Sequence, residues 1–167
     1  MTLIAAVDKN WAIGYENRLL TRIPEDMKNF RRLTTGKTVV MGRRTLESFP
    51  NAVVLPNRTN IILTRNKDYV VRNGIVVHDL EGLKESLEGT PDDDIFIIGG
   101  QSIYKQLEPY CSKAIITKID FGYQADAYFP NLDEKENWVL TDESDESTYF
   151  DIVFTFNTYI NNDVKGL

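Results

Sequence analysis

Ile95-Phe96-Ile97-Ile98-Gly99-Gly100-Gln101-Ser102 is the stretch on which the fold turns. Four bulky apolar residues in a row read as a strand covered on both faces, and such strands belong to parallel sheets flanked by helices. The paired glycines stop the strand. They let the backbone approach a ligand closely or adopt an unusual peptide geometry, although a tight strand-to-helix turn would need them equally. A helix from Ser102 to about Leu107 follows, and Pro109 ends it.

Outward from this unit the pattern recurs. Leu3–Val7, Thr38–Met41, Asn60–Thr64 and Ala114–Ile119 each read as a short buried strand, and Ile75–Val77 as a weaker one. Helices are expected from Pro24 to about Thr34 and over Thr45–Phe49. A further helix is capped by Asp79, carries Leu80, Leu83 and Leu87 on one face, and closes at Gly89. Asp8–Thr21 reads as a long loop of the kind that serves as a lid. Trp138–Thr141 and Tyr149–Tyr159 read as a closing antiparallel pair of strands. The predicted class is therefore α/β. A single domain over residues 1–160 is expected, with a mainly parallel twisted sheet, antiparallel C-terminal strands and about four helices on both faces, and 161–167 as a C-terminal tail.

The chain has 167 residues, enough for one proper core. A net charge of -6 argues against nucleic acid or an anionic membrane as partner. No apolar run approaches membrane-spanning length. Leu3–Val7 runs at once into Asp8 and lacks the basic lead of a secretion signal. Cys111 is the single cysteine and His78 the single histidine. An intrachain disulfide and a Cys/His metal centre are thus excluded by count; no metal is expected, and a cytoplasmic location is. There is no Gly-x-Gly-x-x-Gly and no Walker-type lysine loop, so any dinucleotide binds without those fingerprints.

Three strand ends are suited to phosphate, because ligands of open α/β sheets bind beyond the carboxyl ends of strands. Met41-Gly42-Arg43-Arg44-Thr45 puts two arginines at a helix start, unfavourable for the helix dipole unless an anion binds there or they simply reach into solvent. Leu63-Thr64-Arg65-Asn66-Lys67 suits an extra ribose phosphate, and so the phosphorylated nicotinamide dinucleotide, unless Arg65 and Lys67 are ordinary loop charges. Gly99-Gly100-Gln101-Ser102 is the third.

One acid stands apart. After Pro24, Glu25 and Asp26 occupy the first turn of a helix, where the dipole favours negative charge. Helical spacing aligns Glu25 with Lys28, Asn29 and Arg32, but aligns Asp26 with Ile23, Phe30 and Leu33. Glu25 is the solvated acid. A carboxylate beside the apolar stripe needs a partner, and an amidine-like edge donating two hydrogen bonds would fit.

These segments together resemble the dihydrofolate reductase family from Leu3 to about Tyr159. The resemblance rests on Ile4-Ala5-Ala6, Ile13-Gly14, Ile23-Pro24-Glu25-Asp26, Met41 to Thr45, Leu55-Pro56-Asn57-Arg58, Ile98-Gly99-Gly100 with Tyr104, Thr117-Lys118-Ile119 and Asp126-Ala127-Tyr128-Phe129-Pro130, which stand in the family's order. It implies NADPH as cofactor and reduction of dihydrofolate to tetrahydrofolate. Asp26 becomes the catalytic carboxylate, bound to the pterin 2-amino group and N3 and supported by Thr117, orienting the ring and favouring protonation of N5 by way of water. Ile4 and Ile98 present carbonyls to the pterin, and Met27, Phe30 and Tyr104 complete its pocket. Arg58 pairs with the α-carboxylate of the glutamate tail. Ala6, Ile13, Gly14, Asn17 and Leu19 line the nicotinamide side. Gly42, Arg43, Arg44 and Thr45, with Leu63, Thr64 and Arg65, take the phosphates and adenosine half, with His78 near the adenine. Gly99, Gly100, Gln101, Ser102 and Ile103 hold the diphosphate, Gly99-Gly100 forms the family's cis peptide, and Asp126 helps hold the closed loop. Antifolate inhibitors are implied ligands, and a monomer is expected.

The chain departs from the family pattern where Leu20-Thr21 replaces Pro-Trp and where Gln101 replaces a small residue. The segment between Ser48 and Arg58 is also slightly longer. Two competing readings are a pyrimidine reductase of riboflavin synthesis on the same fold and a non-catalytic pterin- or NADPH-binding protein.

Overall fold

A computed structural model describes all residues, 1–167. Its strands are β1 (Thr2–Val7), β2 (Ala12–Tyr15), β3 (Arg18–Leu19), β4 (Thr38–Gly42), β5 (Thr59–Leu63), β6 (Ile75–Val77), β7 (Ile95–Gly99), β8 (Lys113–Ile119), β9 (Ala127–Tyr128), β10 (Trp138–Glu143), β11 (Ser147–Tyr149) and β12 (Ile152–Asn161). The helices are α1 (Pro24–Thr34), α2 (Arg43–Ser48), α3 (Leu80–Ser86) and α4 (Gln101–Leu107).

The main sheet runs β10-β12-β8-β1-β7-β4-β5-β6, with β11 paired to β12. The six strands from β8 to β6 are parallel. β12 is antiparallel to β8, and β10 and β11 are antiparallel to β12. This is the mixed sheet expected from the sequence.

Period-two alternation on the strands explains why helices cover both faces. Leu3, Val40, Ile61 and Ile97 point to one face, where Leu83, Leu87, Ile103 and Leu107 of the α3 and α4 region pack on them. Ile4, Val39, Met41, Ile62 and Phe96 point to the other, against Leu46 of α2 and Phe30 and Leu33 of α1. Asp79 caps α3 as expected, its carboxylate accepting from Gly82 N at 2.7 Å.

Two stretches differ from the sequence reading. Asp8–Thr21 is not a simple loop: β2 and β3 form a hairpin closed by Glu16-Asn17, and β9 joins them in a small sheet ordered β3-β2-β9. Glu16 and Asn17 both have positive φ, 49° and 59°, the backbone that suits a two-residue hairpin turn. Tyr149–Tyr159 is not one strand but the hairpin of β11 and β12, turning at Phe150, whose φ is 52°. The C-terminal residues are docked: Lys165 N donates to Pro109 O at 2.9 Å, and Leu167 packs against the larger core.

Candidate active site

A cleft of about 1700 Å³ opens along the carboxyl ends of the parallel strands. Ligand pockets commonly measure about 300–1,000 Å³, so this one has room for more than one small ligand. Every site residue expected from the sequence lines it except Arg58.

At one end sits Asp26. Pro24 starts α1 without any side-chain cap, and Met27 N reaches back to Ile23 O at 3.0 Å. That start fixes Asp26 facing β8, while Glu25 is exposed. Thr117 Oγ1, on a residue 3% exposed, donates to Asp26 Oδ1 at 2.5 Å. Burial pushes the Asp26 carboxyl above the usual carboxylate range, and the Thr117 hydrogen bond opposes that shift in part. A half-buried acid with one oxygen committed keeps acceptor capacity for a bidentate donor.

Around Asp26 stand Met27 and Phe30 of α1, Ile4 and Ala6 of β1, and Ile98 of β7. Tyr104, 4% exposed, donates its hydroxyl to Ile4 O at 2.6 Å. Burial and then the Asp26 charge push its phenol far up, so the Tyr104 O–H stays a donor and fixes the Ile4 carbonyl. That carbonyl retains a second lone pair.

Arg58 lies beside the cleft rather than in its wall, next to the lining residues Phe30, Leu55 and Pro56. Its Nε donates to Thr34 Oγ1 at 2.9 Å and its Nη1 to Pro56 O at 2.9 Å. Its guanidinium lies over the Phe30 ring, 5.9 Å from the centroid. Burial, and then the neighbouring Arg31 charge, lower its pKa. A cation so held, without an acid partner, is set up to receive an anion.

The opposite arm carries the basic groups. Gly42 ends β4 and leads into Arg43, Arg44 and Thr45 of α2; Leu63 ends β5 and leads into Thr64 and Arg65; His78 follows β6. Arg43 is partly satisfied by Glu47 at 2.8 Å within its own helix, whereas Arg44 and Arg65 have no acid partner. His78 Nδ1 lies 2.9 Å from Thr64 O, tying the two strand ends together. Gly99, Gly100, Gln101, Ser102 and Ile103 form the turn from β7 into α4, and the Gly99-Gly100 peptide is cis.

The hairpin residues Ile13, Gly14, Asn17 and Leu19 form the rim. Asp126 Oδ2 accepts from Glu16 N at 3.1 Å, and Asp126 N donates to Gly14 O. Asp8, 2% exposed, accepts from Asn10 N, Ala12 N and Tyr123 N, which anchors the base of the hairpin.

Several contributors were not foreseen. Phe49, Val53 and Val54 supply an apolar wall. Thr34 orients Arg58. Asn60, 2% exposed, grips both Leu55 N and Leu55 O and so shapes the segment before Arg58. A polar residue inside an otherwise apolar strand was the available signal for Asn60. Leu20 and Thr21 also line the cleft, at the position where the sequence departs from the family.

A cationic arm and a buried-acid arm meeting at strand ends define a class: single-domain α/β proteins that hold a phosphorylated dinucleotide against a small heterocycle. A family model for dihydrofolate reductase matches residues 1–161, and the chain belongs to that family. It is 34% identical over 158 residues to dihydrofolate reductase of Bacillus subtilis (strain 168), covering 92% of this chain and 91% of that protein. It is 35% identical over 157 residues to dihydrofolate reductase of Staphylococcus haemolyticus, covering 92% of each. Among solved structures, dihydrofolate reductase from Enterococcus faecalis complexed with NADP(H) and RAB-propyl is similar with a TM-score of 0.86 and 30% identity, over 97% of this chain and 96% of that one.

Proposed function

We infer that the protein reduces 7,8-dihydrofolate to 5,6,7,8-tetrahydrofolate with NADPH. The observation that carries this reading is Asp26, a half-buried carboxylate bonded to Thr117 and lying in the same cleft as the unpaired cations Arg44 and Arg65.

The residues present fit a phosphorylated nicotinamide dinucleotide. A Cβ at Gly99 would meet Tyr104 Oη at 3.3 Å and Thr45 Oγ1 at 3.4 Å, so close backbone approach there depends on glycine. Arg43, Arg44, Thr45, Thr64 and Arg65 would hold the phosphates and adenosine half, Gly99 to Ile103 the diphosphate, and Ala6, Ile13, Gly14, Asn17 and Leu19 the nicotinamide. When bound, the cofactor supplies the hydride that goes to C6 of the substrate.

The chain's own residues do the rest. Asp26 accepts from the 2-amino group and N3 of the pterin, orienting the ring and favouring a proton at N5. Thr117 donates to Asp26 Oδ1 and steadies the carboxylate for that contact. Tyr104 fixes the Ile4 carbonyl against the pterin, and Met27 and Phe30 exclude water. Arg58, pre-oriented by Thr34, takes the α-carboxylate of the tail through its remaining N–H groups.

No helix is long and apolar enough to cross a membrane. We further propose a cytoplasmic monomer that binds antifolates at the Asp26 end of the cleft; the single cysteine, buried at position 111, supports that location. The test is spectrophotometric: NADPH and dihydrofolate are mixed with the protein and NADPH absorbance is followed. Consumption of NADPH with formation of tetrahydrofolate is expected. Ligand binding without turnover would contradict the enzyme reading.

A further inference from the structure

The small sheet β3-β2-β9 shares no ladder with the nine-stranded sheet, so its position over the cleft depends on contacts at its ends. At its base Asp8 ties it to the body, and Trp11 and Phe129, stacked on each other, pack against Tyr159 and against Tyr104 of α4. At the cofactor arm one hydrogen bond does so: Tyr128 N, in the edge strand β9, donates to Gln101 Oε1 at 2.6 Å. No other hydrogen bond joins this sheet to the β7–α4 turn. β9 pairs directly with β2, with Ala12 opposite Tyr128 and Gly14 opposite Ala127. β2 carries Ile13 and Gly14 into the cleft.

We propose that Gln101 is a positioning residue that latches the small sheet to the cofactor arm, so that occupancy of that arm and closure of the β2–β3 hairpin reinforce each other. The amide chemistry suits two tasks. Its oxygen is committed to Tyr128, while its NH2 has no protein partner and belongs to a residue that lines the cleft. A phosphate oxygen of the dinucleotide is the acceptor it would meet. The latch itself rests on the free protein's geometry; only the coupling rests on the NADPH reading.

Amide hydrogen exchange of the free protein separates the two, followed by NADPH titration. Removing a single net hydrogen bond accelerates local opening by about fivefold, so Gln101→Ala is expected to speed exchange at Tyr128 by that factor without NADPH. Gln101→Glu keeps an acceptor for Tyr128 N and loses the NH2. It is expected to exchange like wild type when free, and to lose the extra protection that NADPH gives the wild type at β2. By reciprocity, the factor by which NADPH strengthens the latch is the factor by which the latch strengthens NADPH binding, so Gln101→Ala is expected to raise KM for NADPH more than it lowers kcat. Unchanged exchange at Tyr128 in Gln101→Ala, or equal acceleration in Gln101→Glu, would overturn the latch. Failure of the wild type to bind NADPH would instead overturn the functional reading and leave the latch standing.

Discussion

Replacing Thr117 by Val removes one hydroxyl and almost no volume, which isolates the contact that positions Asp26. The donor lies 2.5 Å from Asp26 Oδ1 on a residue 3% exposed, so water cannot take its place. A hydrogen bond to a charged group contributes about 1.5–3 kcal/mol. At 1.36 kcal/mol per decade, that corresponds to a drop of about 10- to 150-fold in kcat/KM for dihydrofolate. The pH profile adds a second signature. The Thr117 bond is what opposes the upward push of burial on Asp26, so without it the Asp26 pKa rises further and the limb it controls moves to higher pH. The assay is initial-rate NADPH consumption at subsaturating dihydrofolate across pH, with Thr117→Ser as the variant that restores the hydroxyl. A Thr117→Val protein with wild-type kcat/KM and an unshifted profile would refute this role.

Further outcomes follow from the same geometry. The folded pKa of Asp26 lies above its unfolded value of 3.8, so its contribution to stability is full below that value and lost as pH rises through the folded pKa. Asp26→Asn is therefore expected to melt above wild type at neutral pH, with the gap closing in acid, as calorimetry of the free protein would record. Arg58→Leu is expected to raise KM for dihydrofolate about hundredfold with little change in NADPH affinity, and Arg58→Lys to recover only part of it. Gly99→Ala sets a side chain on a backbone with φ of 127° against Tyr104 and Thr45, which costs about 1–3 kcal/mol of stability in urea unfolding.

The parallel core was legible because its signal is local. Runs such as Val39-Val40-Met41 and Ile95-Phe96-Ile97 are apolar on both faces and each ends at a glycine, so strand identity and the strand ends that carry the site could be read directly. Asp26 was legible for a related reason: helical spacing alone sets it apart from Glu25. The hairpin and its β9 partner were not. Their strands span only two to four residues, β9 pairs with β2 across more than 100 positions, and the Glu16-Asn17 turn adopts positive φ without the glycine that usually announces it. The β11–β12 turn hid in the same way, because Phe150 is an improbable residue for its backbone. The Arg58 cradle rests on Thr34, a partner on α1 that meets Arg58 only when α1 packs beside the segment before β5.

Asp26 is the residue on which the proposed chemistry turns. A single-turnover measurement of hydride transfer at neutral pH, with NADPH already bound, compares wild type with Asp26→Asn. Loss of a group that favours proton transfer lowers the rate by about 10²–10⁴-fold, and that loss is expected here with NADPH affinity unchanged. Near-normal hydride transfer in Asp26→Asn would contradict it.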